Sequence, residues 1–123
     1  MAKKYTTLSE AVMADDAKAA KAMIDAGADV VIGGHPHVTQ DIEHYKGKPI
    51  VYSAGNFVMK ETDNANQRVG WLLRLQLDGA GIVSFDTRVA QIDFNGIPTR
   101  KPNATSPCWK RGQSEVGECR ADD

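Results

Sequence analysis

His35 and His37 stand two residues apart in Gly33-Gly34-His35-Pro36-His37, directly after the apolar run Val30-Val31-Ile32. Neutral imidazole is the commonest side-chain ligand for zinc, manganese and iron, and a His-x-His pair on an extended turn can aim both rings into one cavity. Pro36 lacks a backbone N–H and disfavours helical geometry at His35, so the pair escapes the helix, where two-residue spacing splays side chains apart. Gly33 and Gly34 let the backbone approach a ligand closely. Spacing alone leaves open the alternative of two solvated or hydrogen-bonded loop histidines, because two ligands do not complete a coordination sphere. The rest of the chain adds little: His44 alternates with Ile42 on an expected strand, and no Cys-x-x-Cys, Asp-x-His or His-Glu-x-x-His pattern occurs.

The elements that must position this turn are legible on both sides of it. Ala17 to Ala26 reads as a short amphipathic helix with Asp15 and Asp16 as N-cap acceptors, Gly27 at C′, and Ala17, Ala20, Met23 and Ile24 along one stripe. Leu8 to Met13 either extends it or forms a separate turn. Val30-Val31-Ile32 shows no alternation, as expected of a strand covered on both faces, and a helix leading straight into it predicts an α/β layer with parallel pairing. The histidines then lie at the strand's carboxyl end, where open α/β sheets bind ligands.

Asp41 to Tyr45 and Pro49 to Ser53 flank Lys46-Gly47-Lys48, a hairpin signal, and the second strand leaves through Ala54-Gly55-Asn56-Phe57-Val58. By residue chemistry Asn56 is a turn residue that can also offer its amide to a bound group. Lys60 to Arg68 is polar and read as a loop. Trp71 to Leu77 alternates, Asp78 to Gly81 turns, and Ile82 to Ile92 returns, which predicts an antiparallel ribbon. After the Asn95-Gly96 turn and Pro98 the apolar periodicity stops, so residues 99–123 read as a flexible tail with Trp109 as its one anchor.

With 123 residues, 41% hydrophobic and 25% charged, the chain reads as one domain or part of one. Fifteen basic and sixteen acidic residues nearly cancel, and no basic block is interleaved with aromatics, which argues against nucleic acid as partner. No stretch has the length and apolarity of a membrane span or a signal-peptide core. Cys108 and Cys119 suit a small disulfide loop in an oxidising compartment, with two free thiols as the alternative.

Ala28 to Val38, followed by Tyr45-Lys46-Gly47-Lys48-Pro49-Ile50-Val51-Tyr52-Ser53-Ala54-Gly55-Asn56-Phe57-Val58, closely resembles the bacterial poly-γ-glutamate capsule synthesis (CapA) family of the calcineurin-like metallophosphoesterase superfamily. The resemblance extends from about Ala17 to about Pro98. It implies a four-layer α/β/β/α sandwich in which the Gly-His-x-His turn, here His35 and His37, gives one imidazole to each of two divalent ions, manganese, zinc or iron. It also raises Asn56 to a residue that supports the ligands or touches substrate. The substrate class implied is a phosphoester or the capsule polymer itself.

The family's earlier motifs, an Asp-containing turn, a Gly-Asp turn and an Asn-His turn, carry the remaining ligands, and residues 1–16 contain none of them. The expectation is therefore a partial sandwich: a divergent or foreign segment at 1–16, the carboxyl-terminal part of the domain at 17–98, and the tail at 99–123. Such a half-site is a poor catalyst alone, and its exposed sheet edge invites a complementary half-domain or a second copy. A non-catalytic binding or structural module on the same scaffold is the competing expectation. Family members commonly act outside the cytoplasm, and the sequence itself carries no address.

Overall fold

In the computed structural model, which describes residues 8–59, 64–102, 105–109 and 116–120, a helix enters a mixed sheet that packs on an antiparallel ribbon. Helix α1 (Leu8–Asp25) starts well ahead of Ala17. Six alanines with Leu8, Met13 and Met23 outweigh the low helix propensity of Asp15 and Asp16, which lie inside the helix rather than at its cap. Its end is a Schellman turn, as Gly27 foretold. The N–H of Gly27 donates to the Ile24 carbonyl and that of Ala28 to the Met23 carbonyl, both at 3.0 Å, with Gly27 at φ 115°.

β1 (Val31–Ile32), β2 (Ile42–Tyr45) and β3 (Lys48–Val51) form a sheet in the order β1-β3-β2. β1 runs parallel to β3, with Val31 opposite Ile50, and β2 runs antiparallel to it. The β2–β3 connection is a two-residue turn with positive φ at Lys46 and Gly47, the geometry that matches strand twist. β1 is shorter than the sequence suggested and lies at the sheet's edge. Ile32 is accordingly exposed rather than covered on both faces.

The second sheet holds β4 (Val69–Asp78), β5 (Gly81–Ile92) and β6 (Pro98–Arg100), antiparallel throughout. A 3-10 turn at Ala65–Arg68 leads into β4, within the stretch read as a loop; residues 60–63 of that stretch lie outside the described ones. β7 (Thr105–Trp109) and β8 (Val116–Arg120) pair as a further hairpin. The stretch expected to be a flexible tail therefore includes strands, and among its described residues Ser106 and the disulfide-bonded Cys108 are buried. Covalent cross-linking and packing on Trp71 replace the apolar periodicity that the sequence lacks there.

β3 is the layer on which the core is built. Ile50 and Tyr52 face α1 and pack with Ala20 and Ile24, while Val51 faces the ribbon and packs with Val69, Trp71, Val89 and Cys108. Alternate residues of one strand thus join a helical layer to a second sheet. Met23, placed on the helix's apolar stripe by its spacing, is half exposed.

Candidate functional site

The turn at the carboxyl end of β1 is fixed first by its glycine. Gly33 extends the parallel ladder, donating to the Val51 carbonyl at 2.8 Å and accepting from the Ala54 N–H at 3.0 Å. A Cβ at this position would lie 2.3 Å from the Tyr52 carbonyl oxygen, so only glycine fits. The chain then folds back through Gly34 to His37, with the His37 N–H donating to the Gly34 carbonyl at 3.1 Å. His37 sits at φ 61°, a left-handed conformation that a side chain disfavours by about 1–2 kcal/mol. Such an outlier persists where surrounding bonds over-determine it.

Asn56 supplies those bonds. Its Nδ2 donates to the His37 carbonyl at 3.3 Å and to the Gln67 carbonyl at 2.8 Å, and its Oδ1 lies 2.8 Å from His37 Nδ1. With the amide nitrogen facing two carbonyls, Oδ1 is the acceptor and His37 Nδ1 must carry the proton. The lone pair of the ring therefore resides on Nε2. A ring nitrogen that donates to a neighbouring group while the other stays free is how proteins orient a metal-binding histidine.

Asn56 itself is held by close backbone approach. It is buried, and it follows Gly55, which has a φ of 72° and where a Cβ would lie 2.7 Å from the Val69 carbonyl oxygen, so other residues are excluded. Gly55 bridges Gly70 on β4, and a Cβ on Gly70 would fall 1.6 Å from the Asn56 carbonyl oxygen. Gly70 and Gln67 were missed in the sequence. The available signal was a glycine inside a strand, which marks a place where another backbone passes.

His35 and His37 are both exposed, and their ring centroids lie 6.0 Å apart with planes tilted by 50°. That separation is compatible with ligands of one ion or of two neighbouring ions about 3.5–4 Å apart. His35 borders an apolar cleft of about 220 Å³ between α1 and the sheet, lined also by Ala20, Met23, Val31 and Tyr52. His44 is not part of this group: it is exposed on β2, edge-on to Phe85 at 6.4 Å. Among the described residues no set of three or more His, Cys, Asp or Glu side chains is placed to hold a metal. The structure thus brings His35, His37 and Asn56 together. Among the described residues, too, no helix is long and apolar enough to cross a membrane.

Comparison with known proteins places the similarity on this same stretch. Residues 6–61 match the model of the bacterial capsule synthesis protein family, so the match begins ahead of Ala17 and ends before the ribbon. The chain is 57% identical over 42 residues to the PGA biosynthesis protein CapA of Bacillus subtilis, covering 34% of this chain and 11% of that protein. It is equally 57% identical over 42 residues to the capsule biosynthesis protein CapA of Bacillus anthracis, covering 10% of that protein. An uncharacterized protein, y4sH, of Sinorhizobium fredii is 55% identical over 38 residues, 31% of this chain and 8% of its own length. The aligned stretch thus spans about a tenth of these relatives.

Proposed function

We propose, from the premise that residues 6–61 are a segment of the bacterial capsule synthesis protein family, that the His35–His37 turn is part of a metal-dependent phosphoester-hydrolysing centre serving capsule polymer synthesis. The observation that carries this reading is the bond from His37 Nδ1 to Asn56 Oδ1, which leaves Nε2 with its lone pair free on an exposed ring. His35 and His37 each offer an imidazole to one of two divalent ions, manganese, zinc or iron. When bound, such a pair lowers the pKa of water and clamps the attacking and leaving oxygens of a phosphoryl displacement. Asn56 keeps the His37 ring and its tautomer fixed while this happens.

In this reading the helix, the mixed sheet and the ribbon are three layers of an α/β/β/α metallophosphoesterase sandwich. Two imidazoles leave the coordination sphere open. The remaining ligands would come from a complementary half-domain or a second copy, and β1, an outer strand of its sheet, is the edge at which such a partner would pair.

Isothermal titration with Mn²⁺ and Zn²⁺, paired with a generic phosphodiester assay, tests the reading. Binding that is lost in His35→Ala supports the metal site, and two ions per chain together with hydrolysis support a working centre. Equal behaviour of the native chain and the His35→Ala, His37→Ala double variant would overturn it in favour of a non-catalytic scaffold.

A further inference from the structure

Arg68 closes the 3-10 turn whose Gln67 carbonyl is held by Asn56, and its own carbonyl accepts from Gln91 Nε2 at 3.0 Å. Its guanidinium lies over the ring of Phe94, with Cζ 4.4 Å from the centroid. Phe94 is 76% exposed, and Ile97 on the same turn is also exposed. Among the described residues the buried Arg68 Nε–H finds no acceptor. Arg74 and Arg88 on the ribbon behave differently, since both reach Asp86. Asp93, the acid beside Phe94, directs Oδ1 to the backbone N–H groups of Asn95 and Ile97. Among the described residues no carboxylate forms an ion pair with Arg68.

A buried donor left without an acceptor is destabilising unless something else fills that role. The planar guanidinium fork matches the paired oxygens of a carboxylate or phosphate, and stacking on an aromatic face pre-orients it. We propose that Arg68, stacked on Phe94, is an oxyanion-binding subsite that takes a phosphoryl or carboxylate group. Its chain neighbour Gln67 offers its carbonyl to the same Asn56 Nδ2 that donates to the His37 carbonyl, so Asn56 links the subsite to the histidine turn. Its role as a substrate subsite rests on the reading of that turn as a reacting centre, whereas anion binding itself does not.

The Arg68 Nε–H resonance, assigned by its loss in Arg68→Lys, is followed by ¹⁵N NMR during titration with inorganic phosphate and, separately, with acetate. The titrations use the full chain in metal-free buffer, and are repeated on His35→Ala so that failure of the metal reading leaves the result intact. A saturable shift of this resonance, with Arg74 and Arg88 unmoved and affinity lowered about tenfold in Phe94→Ala, supports the subsite. Preference for phosphate or for acetate then identifies the group it takes. No shift with either anion, or shifts of equal size at Arg74, Arg88 and Arg68, would overturn it.

Discussion

The indole N–H of Trp71 donates to the hydroxyl of Ser106 at 2.8 Å inside the core, across 35 residues of chain. A buried indole needs an acceptor, and here a strand beyond the sequence's apolar periodicity provides it. Ser106→Ala should therefore lower stability by about 1–3 kcal/mol. In a Trp71→Phe background the same change should cost much less, and urea unfolding of the four proteins measures the difference.

The disulfide at Cys108 fixes the same hairpin against Val51, Val69, Trp71 and Val89. Reduction should destabilise the protein by about 2–4 kcal/mol. In a Trp109→Phe chain, the emission of Trp71 should shift to longer wavelength on adding reductant at denaturant concentrations where the oxidised protein remains folded. An unchanged midpoint and spectrum would show that the hairpin docks without its cross-link.

Gly70→Ala would drive a methyl group into the Asn56 carbonyl, where the backbone itself must shift. The expected loss is about 3 kcal/mol or more, beyond ordinary overpacking. Gly79→Ala, with nothing within 4 Å of the added carbon, should stay within about 0.5 kcal/mol of the native protein. Paired denaturant curves distinguish the two.

Asn56→Ala removes the acceptor of His37 Nδ1 and the donor to two carbonyls. The His37 ring should change from the Nδ1–H tautomer to a mixture rich in Nε2–H, visible in its ¹⁵N shifts. Metal affinity at the turn should fall by about 10–100-fold. Retention of the native tautomer would mean that Asn56 does not set it.

Asp25 lies away from this site and has its carboxyl held below the ordinary value, chiefly by its hydrogen bond with Lys46; the partner ammonium is held above its own for the same reason. A carboxylate depressed in this way contributes stability above its unfolded pKa and loses it as pH falls through the folded value. The raised ammonium contributes below its unfolded pKa and loses its share as pH rises through the folded one. Because both groups are exposed the effect is small, and it should be screened by salt. NMR titration of the Asp25 carboxyl in the native protein and in Lys46→Gln should show the depression disappear.

The elements around the histidines could be read because each leaves a local mark: Gly27 ends a helix, Lys46-Gly47 turns a hairpin, and alternation from Trp71 to Leu77 forms a ribbon. The start of α1 was harder, since two adjacent aspartates resemble a cap and only the summed propensity of the alanines around them overrides it. The strands after residue 98 were illegible for a different reason. Their packing depends on a cross-link and on one distant indole, neither of which has a period in sequence. At the site, the His-x-His spacing marked the turn, while Gly70 and Gln67 act through backbone atoms, which side-chain chemistry does not reveal.

Because Ile50 and Val51 look toward opposite layers, the Lys46-Gly47 turn serves as a gauge for everything that follows it. A slip of the β2–β3 pairing by one residue would turn β3 over, sending Val51 to the helix and Ile50 to the ribbon. Asn56 would then arrive on the wrong side to meet His37. A two-residue loop thus governs the chemistry of a ring nine positions before it and an amide nine positions after it, through the alternation of the pleat rather than through any contact of its own.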